Sequence, residues 1–222
     1  MKTGTCKLNK AEIDAVAAYL EHRYPEPKTA LHFSNPFELL AATILSAQCT
    51  DKRVNIVVKT LFEHYKTVED YAAANPTVFE EEIKSTGFYK NKTKQIIGAA
   101  QAILTDFNGQ VPSTMEELVM LPGVGRKTAS VVLAAAFGVP AIAVDTHVLR
   151  ISNRLGLVNI KDPEKIEFAL CGIFDKDKWI TVSFGLVLFG REICQAKKPL
   201  CNKCDIYNIC KWPEKRDPPP AR

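Results

Sequence analysis

Apolar residues recur three and four positions apart along most of this chain, the spacing that predicts amphipathic helices. Asn9 precedes one such stretch, residues 10–20, and Glu12 stands at the third helical position, where a carboxylate completes a capping box. A cap residue followed by proline at the first helical position also marks the start of a helix. Further start signals of these kinds occur at Asn35–Pro36, Asn75–Pro76, Ser113–Glu116 and Asp162–Pro163.

A predicted helix that is apolar on nearly every face is expected to lie in the interior. The pattern predicts such a helix from Phe37 to about Cys49. Residues 95–107 and 128–137 are also predicted to form interior helices. No segment alternates apolar and polar residues as a half-buried strand does. The pattern therefore predicts an all-α fold.

The segment Leu121–Thr128 (LPGVGRKT) combines features of an anion-binding turn and of a catalytic site. Gly123 and Gly125 allow a tight turn that exposes backbone N–H groups at the mouth of a helix, which suits a phosphate. Lys127 lies in the first turn of that helix and can act as a nucleophile when its amine is deprotonated. A solvated lysine that contacts phosphate only as a point charge explains the same residue.

Asp145 follows Lys127 by eighteen residues and is a candidate partner for it. If residues 126–137 are helical, they span about 17 Å, and an extended segment 138–144 covers about 23 Å. The chain can thus return Asp145 to the level of Lys127, where a carboxylate would transfer protons. Asp145 also precedes a predicted helix over residues 146–155, and capping that helix is the other role open to it.

Composition and charge narrow the class of protein. At 222 residues and 46% hydrophobic, the chain is long enough to bury a core in one or two domains. No apolar run would span a bilayer, and residues 1–7 lack the apolar stretch of a signal peptide, so we expect no membrane association and a cytoplasmic location. Residues 191–222 carry eight of the 29 basic and four of the 25 acidic side chains, which accounts for the net charge of +4. Such a basic segment favours a polyanionic partner.

Four of the seven cysteines are clustered in this basic segment, at Cys194, Cys201, Cys204 and Cys210. Intracellular proteins rarely keep disulfides, so clustered thiols indicate metal ligands. A zinc site more often has two CxxC pairs, whereas a single compact loop suits a [4Fe–4S] cluster, although spacing alone leaves both metals open. Interleaved lysines could also bring the loop to nucleic-acid phosphates. These lysines are Lys197, Lys198, Lys203 and Lys211.

Taken together and in this order, these motifs resemble the endonuclease III family of base-excision DNA glycosylases. Leu121–Thr128 is similar to the family's helix-hairpin-helix, VDTH at 144–147 to its catalytic-aspartate segment, and the cysteine quartet to its [4Fe–4S] loop. The resemblance implies a six-helix barrel domain over residues 29–139, which contains the hairpin. It also implies a helical cluster domain formed by both chain ends, residues 1–28 and 140–222.

The resemblance further implies a partner and a reaction. The partner would be double-stranded DNA containing damaged pyrimidines or abasic sites, bound by a monomeric, nucleoid-associated enzyme. Lys127 would attack the sugar C1′ of a flipped oxidised pyrimidine and form a Schiff base. Asp145 would assist the proton transfers, and β-elimination would then cut the strand. DNA contacts are implied for Ser46, Gln48, Phe88, Gly123, Gly125 and Arg126.

Two of these contacts would lie inside the duplex. Gln48 would fill the gap left by the flipped base, and Phe88 would act as an apolar wedge where the family usually has leucine. A polar helix cap is the alternative role of Gln48, and packing within a loop is that of Phe88. Ser130 is a second departure from the family, in which asparagine is frequent at this position.

Two other functions remain open at this point. A monofunctional glycosylase acting on adenine or thymine mismatches would share the hairpin, the aspartate and the cluster. Such relatives characteristically lack a lysine at the position of Lys127. A non-catalytic DNA-binding module with a structural zinc site requires Lys127 and Asp145 to be only surface and capping residues.

Overall fold

The structure is a computed structural model, and it describes residues 6–216 and 218. Within these residues the regular secondary structure is entirely helical, which confirms the predicted all-α fold. In the described part of the chain, three 3₁₀ turns accompany the α-helices, at Lys84–Thr86, Lys176–Lys178 and Cys201–Lys203. The helices are α1 (Lys10–Arg23), α2 (Pro36–Leu45), α3 (Asp51–His64), α4 (Val68–Ala72), α5 (Pro76–Ile83), α6 (Tyr89–Asp106), α7 (Met115–Leu118), α8 (Arg126–Ala136), α9 (Thr146–Leu155), α10 (Pro163–Ile173) and α11 (Trp179–Glu192).

The predicted helix starts are confirmed by side chains that accept hydrogen bonds from the backbone. Asn9 Oδ1 accepts from the N–H of Glu12, and a Glu12 carboxylate oxygen accepts from the N–H of Asn9, both at 2.9 Å. This is the reciprocal pattern of a capping box. The other predicted starts have their N-caps at Asn35, Asn75, Thr114 and Asp162.

Two of the predicted helix limits are wrong. Helix α2 ends at Leu45, several residues earlier than predicted, with Ser46 as its C-cap. Gln48 then adopts a φ of 53°, a left-handed conformation that a right-handed helix cannot continue. Helix α6 begins at Tyr89 rather than at Gln95. The prediction missed this start because the first turn is mostly polar and shows no apolar periodicity.

The contacts divide the chain into two compact units. The central unit is Thr29–Val139, and the terminal unit joins the segments 1–28 and 140–222. In the central unit α2 packs against α3, α6 and α8. Every residue from Phe37 to Leu45 is buried, as expected for a helix that is apolar on all faces. Helix α2 thus supports both the loop that follows it and the helix that carries Lys127.

The terminal unit is built on α11, which packs against α1 and α9. Its apolar core also receives the partly buried Cys194 and Cys210, so the cysteine loop lies directly on this core. The segment before α1 is held by the Lys7 N–H, which donates to the Gly156 carbonyl at 2.7 Å. Throughout the part of the chain that is described, no helix is both long and apolar enough to cross a membrane.

Ser130 lies on α8 in the central unit and is completely buried. Its hydroxyl has no hydrogen-bond partner among the described residues. The residue is therefore accommodated by its small size rather than by a polar contact. Nothing in the structure assigns a function to the departure from asparagine.

Candidate active site and metal-binding loop

The glycine-containing turn between α7 and α8 is anchored by two buried apolar residues. Leu121 and Val124 are 3% and 6% exposed, and the Val124 N–H donates to the Leu121 carbonyl at 3.1 Å. Gly123 has a φ of 77°, which a residue with a side chain adopts only under strain. Gly125 is the N-cap of α8 and provides no side-chain acceptor for its first N–H groups. These N–H groups are the donors that bind anions at helix N-termini.

Lys127 is the second residue of α8 and is exposed to solvent. It therefore lies, exposed, in the first turn of a helix whose N-terminus has no side-chain cap. Arg126 precedes it and is half-buried. The backbone thus places four residues together at the N-terminus of α8. They are Gly123, Gly125, Arg126 and Lys127.

Asp145 is the N-cap of α9 in the terminal unit. Its Oδ1 accepts hydrogen bonds from the N–H groups of His147 and Val148, both at 2.8 Å. The capping role considered from the sequence is therefore real. Both bonds use Oδ1, so the cap orients the carboxylate without using Oδ2. Because Asp145 and Lys127 belong to different units, their approach to one another stays a prediction.

Gln48 and Phe88, which are expected to enter the duplex, lie in the central unit together with Ser46. The Ser46 hydroxyl donates to the Thr43 carbonyl at 2.8 Å, within the last turn of α2. Gln48 is exposed and caps neither adjoining helix, since Ser46 caps α2 and Thr50 caps α3. Phe88 is 64% exposed, so packing within its loop does not explain this ring.

Phe88 also has an unusual backbone. Its φ of 50° and ψ of 25° are left-handed, and it stands at the N-cap of α6. Gln48 shares this left-handed conformation. Two exposed side chains are thus carried on two strained loop tips.

Cys204 is the buried member of the cysteine quartet, with 8% exposure, and the other three thiols are half-buried. Burial raises the pKa of Cys204 to about 12, and negative charge on the other three thiols acts in the same direction. A bound cation stabilises such sulfurs as thiolates, and four cysteines within residues 194–210 are a donor set that fits a metal centre.

The arrangement of the four cysteine sulfurs helps to distinguish a site for a single metal ion from a site for an iron–sulfur cluster. Within residues 6–216 and 218, no three side chains of His, Cys, Asp or Glu converge where a single ion would bind. In a [4Fe–4S] cluster the four cysteines bind different iron atoms and surround the cluster. The four cysteine sulfurs therefore do not need to converge on one point to bind such a cluster.

Two arginines of α9 contact the cysteine loop and were not predicted from the sequence. Arg150 donates through Nε and Nη2 to the Cys194 carbonyl at 3.2 and 3.0 Å. Arg154 donates through Nη1 to the Cys194 Sγ at 3.5 Å, and its guanidinium lies over the Trp212 ring. Their spacing of four residues, which places both on one helix face, was the available signal.

The sequence predicted that the four interleaved lysines would face nucleic-acid phosphates, but one of them, Lys211, pairs with a carboxylate of the protein. Lys211 Nζ donates to Glu12 at 2.5 Å, an ion pair between the two ends of the terminal unit. It is therefore not free to contact phosphate. Lys197, Lys198 and Lys203 are exposed, as a phosphate-contacting role requires.

The all-α fold and a glycine hairpin that presents a lysine define a helix-hairpin-helix protein. Residues 41–176 match the HhH-GPD superfamily of base excision DNA repair proteins. Endonuclease III of Bacillus subtilis is 46% identical over 95% of this chain and 96% of its own length. The chain belongs to the endonuclease III family, which confirms the predicted enzyme class, a DNA glycosylase and abasic-site lyase.

Solved structures agree with this assignment. An endonuclease III trapped in a covalent intermediate with DNA has a TM-score of 0.87 and 43% identity, and the match covers 92% of this chain and 96% of that one. A thermostable thymine-DNA glycosylase has a TM-score of 0.81 at 25% identity, over 91% of this chain and 96% of that one. The fold is thus shared by both proteins, while the sequence is more similar to the endonuclease.

Proposed function

We propose that this chain removes oxidised pyrimidines from duplex DNA and cuts the resulting abasic site by β-elimination, with Lys127 as the nucleophile. The observation that carries the proposal is the exposed amine of Lys127 at a helix N-terminus without a side-chain cap. A phosphate bound by that N-terminus brings the sugar-phosphate backbone beside the amine. Family membership and a relative trapped covalently on DNA support the same chemistry.

The reaction can be followed bond by bond. The free Lys127 amine forms a bond to the sugar C1′, and the glycosidic bond breaks with its electron pair leaving on the base, which takes up a proton. The C1′–O4′ bond then breaks with its electron pair on O4′, which takes up a proton, and the opened sugar is joined to the lysine as a Schiff base. Loss of a proton from C2′ breaks the C3′–O bond and releases the 3′ phosphate, after which hydrolysis of the imine returns the lysine amine.

Asp145 is assigned the proton transfers of this sequence. Its Oδ1 is fixed by two backbone N–H groups, and this leaves Oδ2 for proton transfer. The proposal requires the Lys127 amine and the Asp145 carboxylate to act on the same nucleotide.

DNA binding is assigned to the hairpin and to the two loop tips. Gly123, Gly125 and Arg126 would contact the phosphate backbone, which sets the position of the enzyme on the duplex. Gln48 would replace the flipped base, and Phe88 would separate neighbouring bases, with Ser46 at the base of the first loop. We assign the enzyme a monomeric state and a cytoplasmic, nucleoid-associated location.

The deciding test of the function is borohydride trapping on duplexes containing thymine glycol or an abasic site. Borohydride reduces the imine and leaves protein and DNA covalently joined. A stable adduct on both substrates is expected. No adduct on the abasic duplex would overturn the lyase proposal, and an adduct only on the abasic duplex would overturn the choice of damaged base.

Gly123→Ala is expected to destabilise the protein and weaken DNA binding. The added Cβ would lie 2.7 Å from Gln95 Cβ, and the φ of 77° would be strained. We expect a loss of about 1–3 kcal/mol in the free energy of unfolding, measured by denaturant titration.

Gly125→Ala is the matched control for that change. A Cβ on Gly125 meets no atom within 4 Å, and its φ of −93° suits any residue. Stability should fall by no more than about 1 kcal/mol, the cost of alanine at an N-cap, while affinity for DNA falls because the methyl group stands at the phosphate site. Unchanged DNA affinity in both variants would remove the hairpin from the binding surface.

The four clustered cysteines, Cys194, Cys201, Cys204 and Cys210, are assigned to a [4Fe–4S] cluster. When bound, the cluster would join the thiolates into one cross-link. Residues 194–210 would thereby be held as an ordered loop that presents Lys197, Lys198 and Lys203 to the DNA backbone.

Purified protein is expected to be yellow-brown, with iron and sulfide near four each per chain. Cys204→Ser should lose the colour and most of the iron, because the buried ligand is removed. Cys6→Ser is the control, since the Cys6 thiol packs beside the core and donates to the Leu8 carbonyl. Colourless wild-type protein with one zinc per chain after anaerobic purification would refute the cluster.

A further inference from the structure

Lys92 is a buried lysine in the central unit that the proposed reaction does not use. Its residue is 2% exposed, and Nζ donates to the carbonyls of Leu45 and Thr86 at 2.8 and 2.9 Å. Burial lowers the pKa of this amine, which reflects the cost of removing an ammonium from water. A buried lysine is retained only where its hydrogen bonds compensate that cost.

The two carbonyl groups that Lys92 binds stand at the roots of two loops. Leu45 is the last residue of α2, immediately before the loop that carries Gln48. Thr86 ends a 3₁₀ turn, two residues before Phe88. One side chain therefore joins the loop with the base-replacing residue to the loop with the apolar wedge.

The backbone of Lys92 also holds the second loop. Its N–H donates to the Phe88 carbonyl at 3.1 Å, while its side chain bonds to Thr86 on the other side of Gly87. The Phe88 tip is thus held from both sides by the same residue.

Both loop tips need such support because both are strained. Gln48 and Phe88 have φ values of 53° and 50°, and neither is glycine. Residues in this region persist where the surrounding contacts impose the conformation. Lys92 also places positive charge at the C-terminus of α2, whose last turn contains no basic residue.

We infer that Lys92 is a positioning residue that fixes the Gln48 tip relative to the Phe88 tip, so that both side chains enter the duplex together. The inference rests on the proposed roles of those two tips. Because Nζ faces two protein carbonyls in the interior, Lys92 acts on DNA only through the loops.

Lys92→Met should separate base extrusion from the lyase chemistry. Base release from thymine glycol in an intact duplex is expected to fall about 100-fold, since small displacements of positioning groups have effects of this size. Borohydride trapping on an abasic site opposite a one-nucleotide gap should stay within about twofold of wild type. That substrate contains no base for Gln48 to replace and no intact stack for Phe88 to open.

Two further variants make this result specific. Lys94→Met removes an exposed lysine two residues along α6, and so it controls for the lost charge. It should leave base release nearly unchanged. Lys92→Arg retains donors for both carbonyls and should recover most of the base release. An equal loss of base release and trapping in Lys92→Met, or no loss of either, would overturn the inference.

A second measurement does not depend on Lys92→Met folding. If Lys92 couples the tips, Gln48→Ala and Phe88→Ala should be strongly non-additive in base release, with the double variant close to the worse single one. Additive effects would contradict the coupling. Failure of the proposed function has a different signature, because the wild-type enzyme would then give no adduct on the abasic duplex or none on the thymine glycol duplex.

Discussion

Lys127→Gln is expected to abolish strand cleavage and the borohydride adduct. Glutamine keeps the length and polarity of the side chain but has no amine, so no bond to C1′ and no Schiff base can form. We expect cleavage of an abasic duplex to fall by at least about 10³-fold, the order seen when a covalent nucleophile is removed. Single-turnover cleavage and trapping on the same duplex measure the effect, while DNA affinity should change little.

Lys165→Gln is the matched control for this variant. Lys165 is also an exposed lysine in the first turn of a helix, α10, and its loss removes the same charge. It should trap as wild type does. If Lys127→Gln forms the adduct equally well, another amine is the nucleophile and the assignment is lost.

The outcome also decides between the two classes of glycosylase. An enzyme that only releases the base would use water as the nucleophile and give no adduct in either protein. Lys127 is therefore the residue on which strand cleavage depends, whatever the identity of the damaged base.

Asp145→Asn is expected to lower the rate of base release about 10²–10⁴-fold, the contribution typical of general acid–base catalysis. Asparagine keeps an oxygen that can accept the His147 and Val148 N–H groups, so the cap of α9 is preserved. What it removes is the carboxylate that exchanges protons. Base release from thymine glycol under single-turnover conditions measures the rate, and binding to the same duplex should be nearly intact.

The helix cap needs its own control, because Asp145 has two roles. Asp162→Asn makes the same change at the N-cap of α10, where Asp162 Oδ1 accepts from the Lys165 N–H at 2.9 Å. It should affect neither base release nor binding. Full activity in Asp145→Asn would show that Asp145 only caps a helix, and a comparable loss of DNA affinity would contradict a role in proton transfer.

Much of the fold follows from local signals. The start of α1 depends on Asn9 and Glu12, which are three residues apart, and the start of α2 depends on adjacent Asn35 and Pro36. Short-range hydrogen bonds of this kind are determined by a few neighbouring residues, so the sequence reveals them directly. Helix limits without such a signal, the end of α2 and the start of α6, were predicted wrongly.

The sequence by itself determined the all-α class, the hairpin with its lysine, the quartet of cysteines and the family. Only the tertiary structure decided the left-handed tips of Gln48 and Phe88, the burial of Lys92 and the pairing of Lys211 with Glu12. Lys92 stands between the exposed Lys90 and Lys94, so no local pattern distinguishes it. Its partner Leu45 is 47 residues away in the chain. Contacts of that range exist only after helices pack, which is why the sequence predicted the chemistry but not the support of the loops that would deliver it.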